Sequence, residues 1–240
     1  MSWCELASKA FTRATGIKVQ QSHQATGEAA AQRRAEAANP KTDLWWRGTG
    51  DPFLQAAEQG LLQAYRPSHL ADGHSGSVRP YAMTQDQVGG FYTSAVGFGW
   101  NTELLKMKKL PAPKCWADLI KPEYKGEIEM PHPASSGTAY TILAPLVQRL
   151  GEDAAFDDLK KLHKNISNYT RSGQAQAPNV AKGDVGLGVS FMSGFDAWRH
   201  QGYPLQSGAL AKARATRSAA SPWSRVGATR RPPGPITTGS

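Results

Sequence analysis

Two stretches of the 240-residue chain gather small hydrogen-bonding residues where a helix or a turn begins. One is Ser135, Ser136, Gly137 and Thr138; the other is Thr170, Arg171, Ser172 and Gly173. The first follows Pro131 and Pro133, so the chain reaches it extended and turns helical only beyond them. Hydroxyls, a glycine and the free N–H groups of a helix start suit an anion, because the helix dipole adds positive potential there. The same residues also serve as plain N-caps, a role that needs no ligand. Arg171 brings a fixed positive charge able to hold a phosphate or carboxylate by two parallel hydrogen bonds, although a solvated surface position is the commonest fate of arginine. A third stretch, from Thr49 to Pro52, opens a helix with Asp51 as its cap and proline at the first helical position. The chemistry on offer is capture of a small anion.

Catalytic motifs are missing beside these residues. There is no G-x-S-x-G elbow, P-loop or G-x-G-x-x-G, and the glycines at 183, 186 and 188 come in the wrong order for the last. The six histidines are scattered, without a zinc-type pairing, so no metal or other cofactor is expected. Cys4 and Cys115 fit no metal or redox spacing, and a disulfide between them is left open.

Elements to position these loops are legible in the apolar periodicity. Residues 5–15 place Leu6, Ala10, Phe11 and Ala14 on one helical face before a glycine stop at Gly16. Ile17 to Val19 reads as a strand, Glu28 to Ala38 as a helix halted at Asn39-Pro40, and Asp43 to Trp46 as a second strand. Residues 89–101 are glycine-rich and aromatic, an extended connection between two lobes. A short helix at 115–120 and a strand at 126–130 lead into the 135–138 loop. The helix after it carries Ile142, Leu143, Leu146, Val147 and Leu150 on one face. Ala154 to Lys164 is helical with Phe156, Leu159 and Leu162 inward, Ile166 to Tyr169 is a strand, and Val185 to Phe191 a buried one. Alternating strands and helices predict a parallel sheet covered by helices, with ligands held in loops beyond the carboxyl ends of the strands.

The net charge of +9 invites a nucleic-acid reading. Six of the basic residues fall within 207–240, where there is no acid, so residues 1–206 carry only +3 and no nucleic-acid partner is expected. No apolar run approaches the ~20 residues of a membrane span.

In order along the chain stand D-L-W-W-x-G-T-G-D-P at 43–52, G-F-G-W-N-T-E-L-L at 97–105 and W-A-D-L-I-K-P-E-Y-K-G at 116–126. They continue with P-A-S-S-G-T-A-Y-T at 133–141, N-I-S-N-Y-T-R-S-G at 165–173 and G-Y-P-L at 202–205. Together these motifs resemble the solute-binding proteins of bacterial ABC importers, in the iron(III)-type branch. The resemblance implies an α/β, two-lobed type II periplasmic-binding-protein fold that closes on its ligand and docks on an ABC permease in the inner membrane, without enzymatic turnover. It places Ser135 to Thr138 and Thr170 to Gly173 on one side of the cleft, with Thr49 and Asp51 facing them. The expected organisation is a first lobe at 1–88, a crossing strand at 89–101, a second lobe at 102–206 and an aberrant basic tail at 207–240. A monomer is expected. Family members that bind ferric iron use adjacent tyrosines near the second crossover. Residues 188–194 here hold none, and Tyr140 and Tyr169 are not adjacent. A phosphonate, phosphate ester or carboxylate is therefore the expected ligand, with ferric iron the alternative and an α/β enzyme acting on a phosphate ester the third reading. Trp45, Trp46 and Phe191 could supply apolar walls.

Both ends depart from the family pattern. The chain starts inside the first helix, with neither a secretory signal nor the family's first strand before Trp3, so the fold is expected to be incomplete and the location, periplasmic by resemblance, cytoplasmic for the product as given. After Gly-Tyr-Pro-Leu the family continues with a segment like Cys-Glu-Gly-Thr-Gly-Tyr-Glu-Ile-Gly. With suitable codons, that segment read one base later becomes Ala-Lys-Ala-Arg-Ala-Thr-Arg-Ser-Ala, which is residues 211–219. A frameshift shortly before Ala211 is the expected origin of the basic tail, against the plainer account of a genuine disordered extension.

Overall fold

The computed structural model describes residues 3–46, 48–72, 75–90 and 94–209. The first lobe holds α1 (Trp3–Thr15), α2 (Thr26–Ala35), α3 (Gly50–Glu58) and α4 (Ser75–Met83). Gly16 follows α1 at a φ of 76°, the left-handed stop that its sequence position predicts. The second lobe runs β1 (Val96–Asn101), α5 (Thr102–Met107), α6 (Trp116–Leu119), β2 (Ile128–Pro131), α7 (Gly137–Leu150), α8 (Glu152–His163) and β3 (Ile166–Thr170). It ends with α9 (Gln176–Lys182), β4 (Leu187–Phe191), α10 (Met192–Arg199) and β5 (Leu205–Ala209).

These five strands form one sheet in the order β3-β2-β4-β1-β5. β2 lies parallel to β3 and β4, as strands joined by helical crossovers must. β1 runs antiparallel to β4 and β5, so the sheet is mixed where a parallel one is predicted. The reason lies in the connection. β1 arrives from the first lobe at the opposite end of the sheet and slots between β4 and β5.

Side chains alternate across the sheet. Phe98 and Trp100 of β1 join Ile128, Met130, Ile142 and Leu187 in the larger core under α7 and α8. Gly97 and Gly99 face the other way, where α10 presses close. A β-carbon on Gly99 would fall inside the ring of Phe195, so only glycine lets α10 seat there.

Several expectations are corrected. Ile17 to Val19 and Asp43 to Trp46 are not strands: they join no ladder, and Ile17 and Val19 are 59% and 42% exposed. A strand needs a neighbour for its N–H and C=O groups, and none of the described residues of the first lobe supplies one. Leu6 and Phe11 of α1 are likewise exposed. In α8, Phe156 points outward and Ala155 takes the core position, because α8 turns its 155–159–162 stripe inward at i, i+4, i+7 spacing. Ser207, Gly208 and Ala209, assigned above to the tail, are the last residues of β5 and pair with Gly99, Phe98 and Gly97. The tail from residue 210 lies outside the described residues, as do residues 91–93 of the connection placed at 89–101. Cys4 and Cys115 are not joined in a disulfide.

Candidate functional site

The starts of α2, α3 and α7 meet where the two lobes touch. Each arrives through an extended residue: Ala25 before α2, Thr49 before α3 and Ser136 before α7. Neither Thr49 nor Ser136 uses its side chain to cap its own helix. This corrects the role given to Asp51, which is the second residue of α3 and not its cap. Thr49 has the extended dihedrals and Gly50 is already helical. Pro52 then occupies the third helical position, where a missing N–H costs nothing because no intrahelical acceptor exists there.

The approach of these helix ends depends on two glycines. A β-carbon on Gly137 would collide with the Thr49 hydroxyl and stand 3.1 Å from Cγ2 of Thr26. Gly27 donates its N–H to the carbonyl of Ser135 at 3.1 Å, a backbone hydrogen bond from one lobe to the other. The Thr49 hydroxyl oxygen is buried beside Gly137 and has no hydrogen-bond partner among the described residues. Buried polar atoms are nearly always paired, so this one needs an explanation.

On the second lobe, the two predicted loops are knit together. Ser135 donates its hydroxyl to the carbonyl of Arg171 at 3.2 Å. Gly173 packs against the side chain of Thr138 so closely that a β-carbon would collide with it, and its carbonyl accepts from the Ser190 hydroxyl. Thr170 closes β3, donates to the carbonyl of Ser172 at 2.9 Å and accepts from the amide of Gln176. Gln176 is fully buried beneath this turn. Ser172 accepts from the N–H of Gln174 at 3.3 Å. Ser135 to Thr138 and Thr170 to Gly173 thus lie side by side on the second lobe, with Thr49 of the first lobe against Gly137.

Arg171 is not the free cation the sequence suggests. Its Nε donates to Oε1 of Glu28 at 2.6 Å, and its Nη2 reaches the same oxygen. The other carboxylate oxygen of Glu28 accepts from the N–H of Ala25 at 3.3 Å and so caps α2. Thr26, Gly27 and Glu28 are site residues missed by sequence reasoning, which starts this helix at Glu28. The signal was present, since a hydroxyl and a glycine at a helix start repeat the pattern of Ser136 to Thr138.

Asp51 shares the mouth of α3 but makes no hydrogen bond to the other lobe among the described residues. Desolvation by crowding raises its carboxyl pKa, and a bond from its own N–H pulls the other way. Tyr169 lies between two histidines, stacked on His163 at 5.8 Å and edge-on to His132 at 5.9 Å. Burial raises its phenol pKa. Tyr140 is exposed and apart from it. Trp45 packs on Phe53 at 4.3 Å, which makes it part of the first lobe's own packing. Among the described residues no group of three or more His, Cys, Asp or Glu is placed to hold a metal ion.

The sequence pattern of one protein family, described as bacterial extracellular solute-binding protein, matches residues 40–202. The chain belongs to that family. Among solute-binding proteins of known structure it is similar to the periplasmic binding protein AfuA from Actinobacillus pleuropneumoniae, solved with exogenous fructose-6-phosphate bound. The TM-score is 0.79 at 40% identity, over 85% of this chain and 65% of that one. The periplasmic binding protein P5PA aligns with a TM-score of 0.80 at 35% identity, over 85% of this chain and 65% of that one. An uncharacterized protein of Haemophilus influenzae is 40% identical over 204 residues, 85% of this chain and 59% of its own length. A periplasmic protein of Salmonella typhimurium named for binding 2-aminoethylphosphonate is 25% identical over 77% of this chain and 51% of its own length. This chain therefore spans between half and two thirds of the relatives it matches. The two-lobed type II periplasmic-binding-protein fold is theirs in common.

Proposed function

We propose that this solute-binding protein captures a small phosphorylated anion between its lobes and delivers it to an ABC permease in the inner membrane, acting in the periplasm and without turnover. The observation that carries the reading is the convergence of three helix starts, at Thr26, Thr49 and Gly137, around the buried Thr49 hydroxyl, which has no partner among the described residues. Each helix start offers N–H donors and the positive end of a dipole, and their sum favours a compact, highly charged group such as a phosphate. Arg171 stands at the rim for bidentate contact. The solved relative with fructose-6-phosphate supports a phosphate ester as the ligand class, and the relative named for 2-aminoethylphosphonate supports a phosphonate, which presents a similar charged PO3 group.

Titration calorimetry with fructose 6-phosphate, inorganic phosphate, 2-aminoethylphosphonate, spermidine and ferric citrate tests the reading directly. The expected result is saturable binding of the phosphorylated compounds, with no release of inorganic phosphate over time. Saturable binding of ferric iron or spermidine in their place, or steady hydrolysis of the ester, overturns it.

A further inference from the structure

Glu28 joins the two lobes at the edge of the anion site. Its Oε1 accepts from Nε of Arg171, 143 residues away along the chain, and its Oε2 accepts from the N–H of Ala25. A carboxylate oxygen on two nitrogens of the guanidinium occupies donors that a phosphate or carboxylate ligand would use. Directly beside it, the Gly27 N–H reaches across to the carbonyl of Ser135. Glu28 is thus anchored on one lobe by capping α2 while it holds a cation that belongs to the other.

We propose that Glu28 is an internal stand-in for the anion: it clasps Arg171 and the two lobes together, and a bound phosphate takes its place. The inference rests on the reading of the cleft as an anion site and adds to it a residue that tunes its affinity. Any anion that engages Arg171 first breaks the pair with Glu28, and the displaced carboxylate stays nearby and repels it. Affinity is therefore lower than the donor set alone would deliver. An exposed ion pair is worth little in high dielectric, so the effect is a tuning of about two- to five-fold and not a switch. It weakens further with salt, which screens exposed charges.

The test uses the full chain and two substitutions, Glu28→Gln and Arg171→Gln, with fructose 6-phosphate as the probe. Glutamine at 28 removes the negative charge and keeps one acceptor oxygen, which can serve the Ala25 N–H or the Arg171 guanidinium but not both, so the clasp on Arg171 is lost when the cap of α2 is kept. Two readouts are taken: the dissociation constant by calorimetry, and hydrogen exchange at the Gly27 amide, which reports the contact between the lobes without any ligand. Both substitutions are expected to speed Gly27 exchange. They are expected to move affinity in opposite directions: E28Q tightens binding about two- to five-fold at low ionic strength, with the gain shrinking at high salt, while R171Q weakens it. Unchanged or weaker binding by E28Q overturns the proposal, and so does Gly27 exchange that neither substitution alters. If neither the parent nor E28Q binds the probe while Gly27 exchange still rises in E28Q, the anion-site reading falls, and with it the competition, leaving Glu28 as a clasp between lobes.

Discussion

The hydroxyl of Thr49 lies where a β-carbon on Gly137 would stand, so the first residue of α7 can face the start of α3 only as glycine. Neither lobe needs this contact for its own core. Replacing Gly137 with alanine should therefore leave the cores intact and wedge the lobes apart. Overpacking of this kind costs ~1–3 kcal/mol, which on a closed complex weakens binding by roughly 5- to 150-fold. Thermal denaturation beside calorimetry with fructose 6-phosphate separates the two effects. A large fall in the melting temperature with unchanged affinity would place Gly137 in the fold and not in the site.

Thr49 itself is a sharper probe. A buried hydroxyl without a partner costs about 1–3 kcal/mol, and valine has the same shape without the oxygen. Thr49→Val should leave stability equal or higher and weaken phosphate binding. Equal affinity in the variant would mean that the hydroxyl serves no ligand.

Asn101 ties the end of β1 to two helices. Its side-chain oxygen accepts from the N–H groups of Glu103 and Leu104, and its amide donates to the carbonyl of Val180 at 2.9 Å. It is buried. Asn101→Ala removes the cap of α5 and one of the two bonds to the Val180 carbonyl, which keeps the Gly183 N–H as a donor, so urea unfolding should show a loss of ~1–3 kcal/mol. Asn101→Asp keeps the cap but turns a carboxylate toward the Val180 carbonyl, and it should rescue little of that loss.

Asp118 carries an acid-range contribution to stability. Its carboxylate bonds the Lys121 ammonium, then the N–H groups of Lys114 and Cys115, and these hold its pKa at about 2, below the ordinary 3.8. A carboxyl whose folded pKa lies below its unfolded value stabilises the fold above the unfolded value, and that contribution is lost as pH falls toward the folded one. Stability should thus decline between about pH 4 and pH 2, and Asp118→Asn should flatten the decline while lowering stability at neutral pH. A parallel decline in the variant would assign the acid sensitivity to other carboxylates.

The reading frame near the end of β5 can be checked at the nucleotide level. Similarity to the Haemophilus influenzae protein covers 204 residues, and with suitable codons residues 211–219 correspond to the family segment read one base later. Resequencing through codons 200–240 should place a one-base shift between the codons of Leu205 and Ala211. A frame confirmed as it stands makes the basic tail a genuine part of the protein.

Local chemistry made much of the molecule legible. The glycine stop at Gly16, the prolines before α7 and the hydroxyl-rich loops at 135–138 and 170–173 declare themselves because caps, breakers and small residues act within a few residues of chain. Ordered motifs carried the family for the same reason. What the residues could not declare is partnership across the fold. Ile17 to Val19 has the composition of a strand and no neighbour to pair with among the described residues, so it stays unladdered. β1 is antiparallel because of where it enters the sheet, which no local pattern records. Arg171 reads as a free cation in sequence and is a paired one in space, since its carboxylate comes from the other lobe. Residue types and spacing determined that this chain carries hydroxyl- and glycine-rich loops at helix starts and turns of an α/β scaffold. Only the tertiary structure decided that three helix starts meet, that Gly137 must be glycine to let them, and that Glu28 holds the arginine, because each depends on the distance between segments that the chain itself keeps far apart.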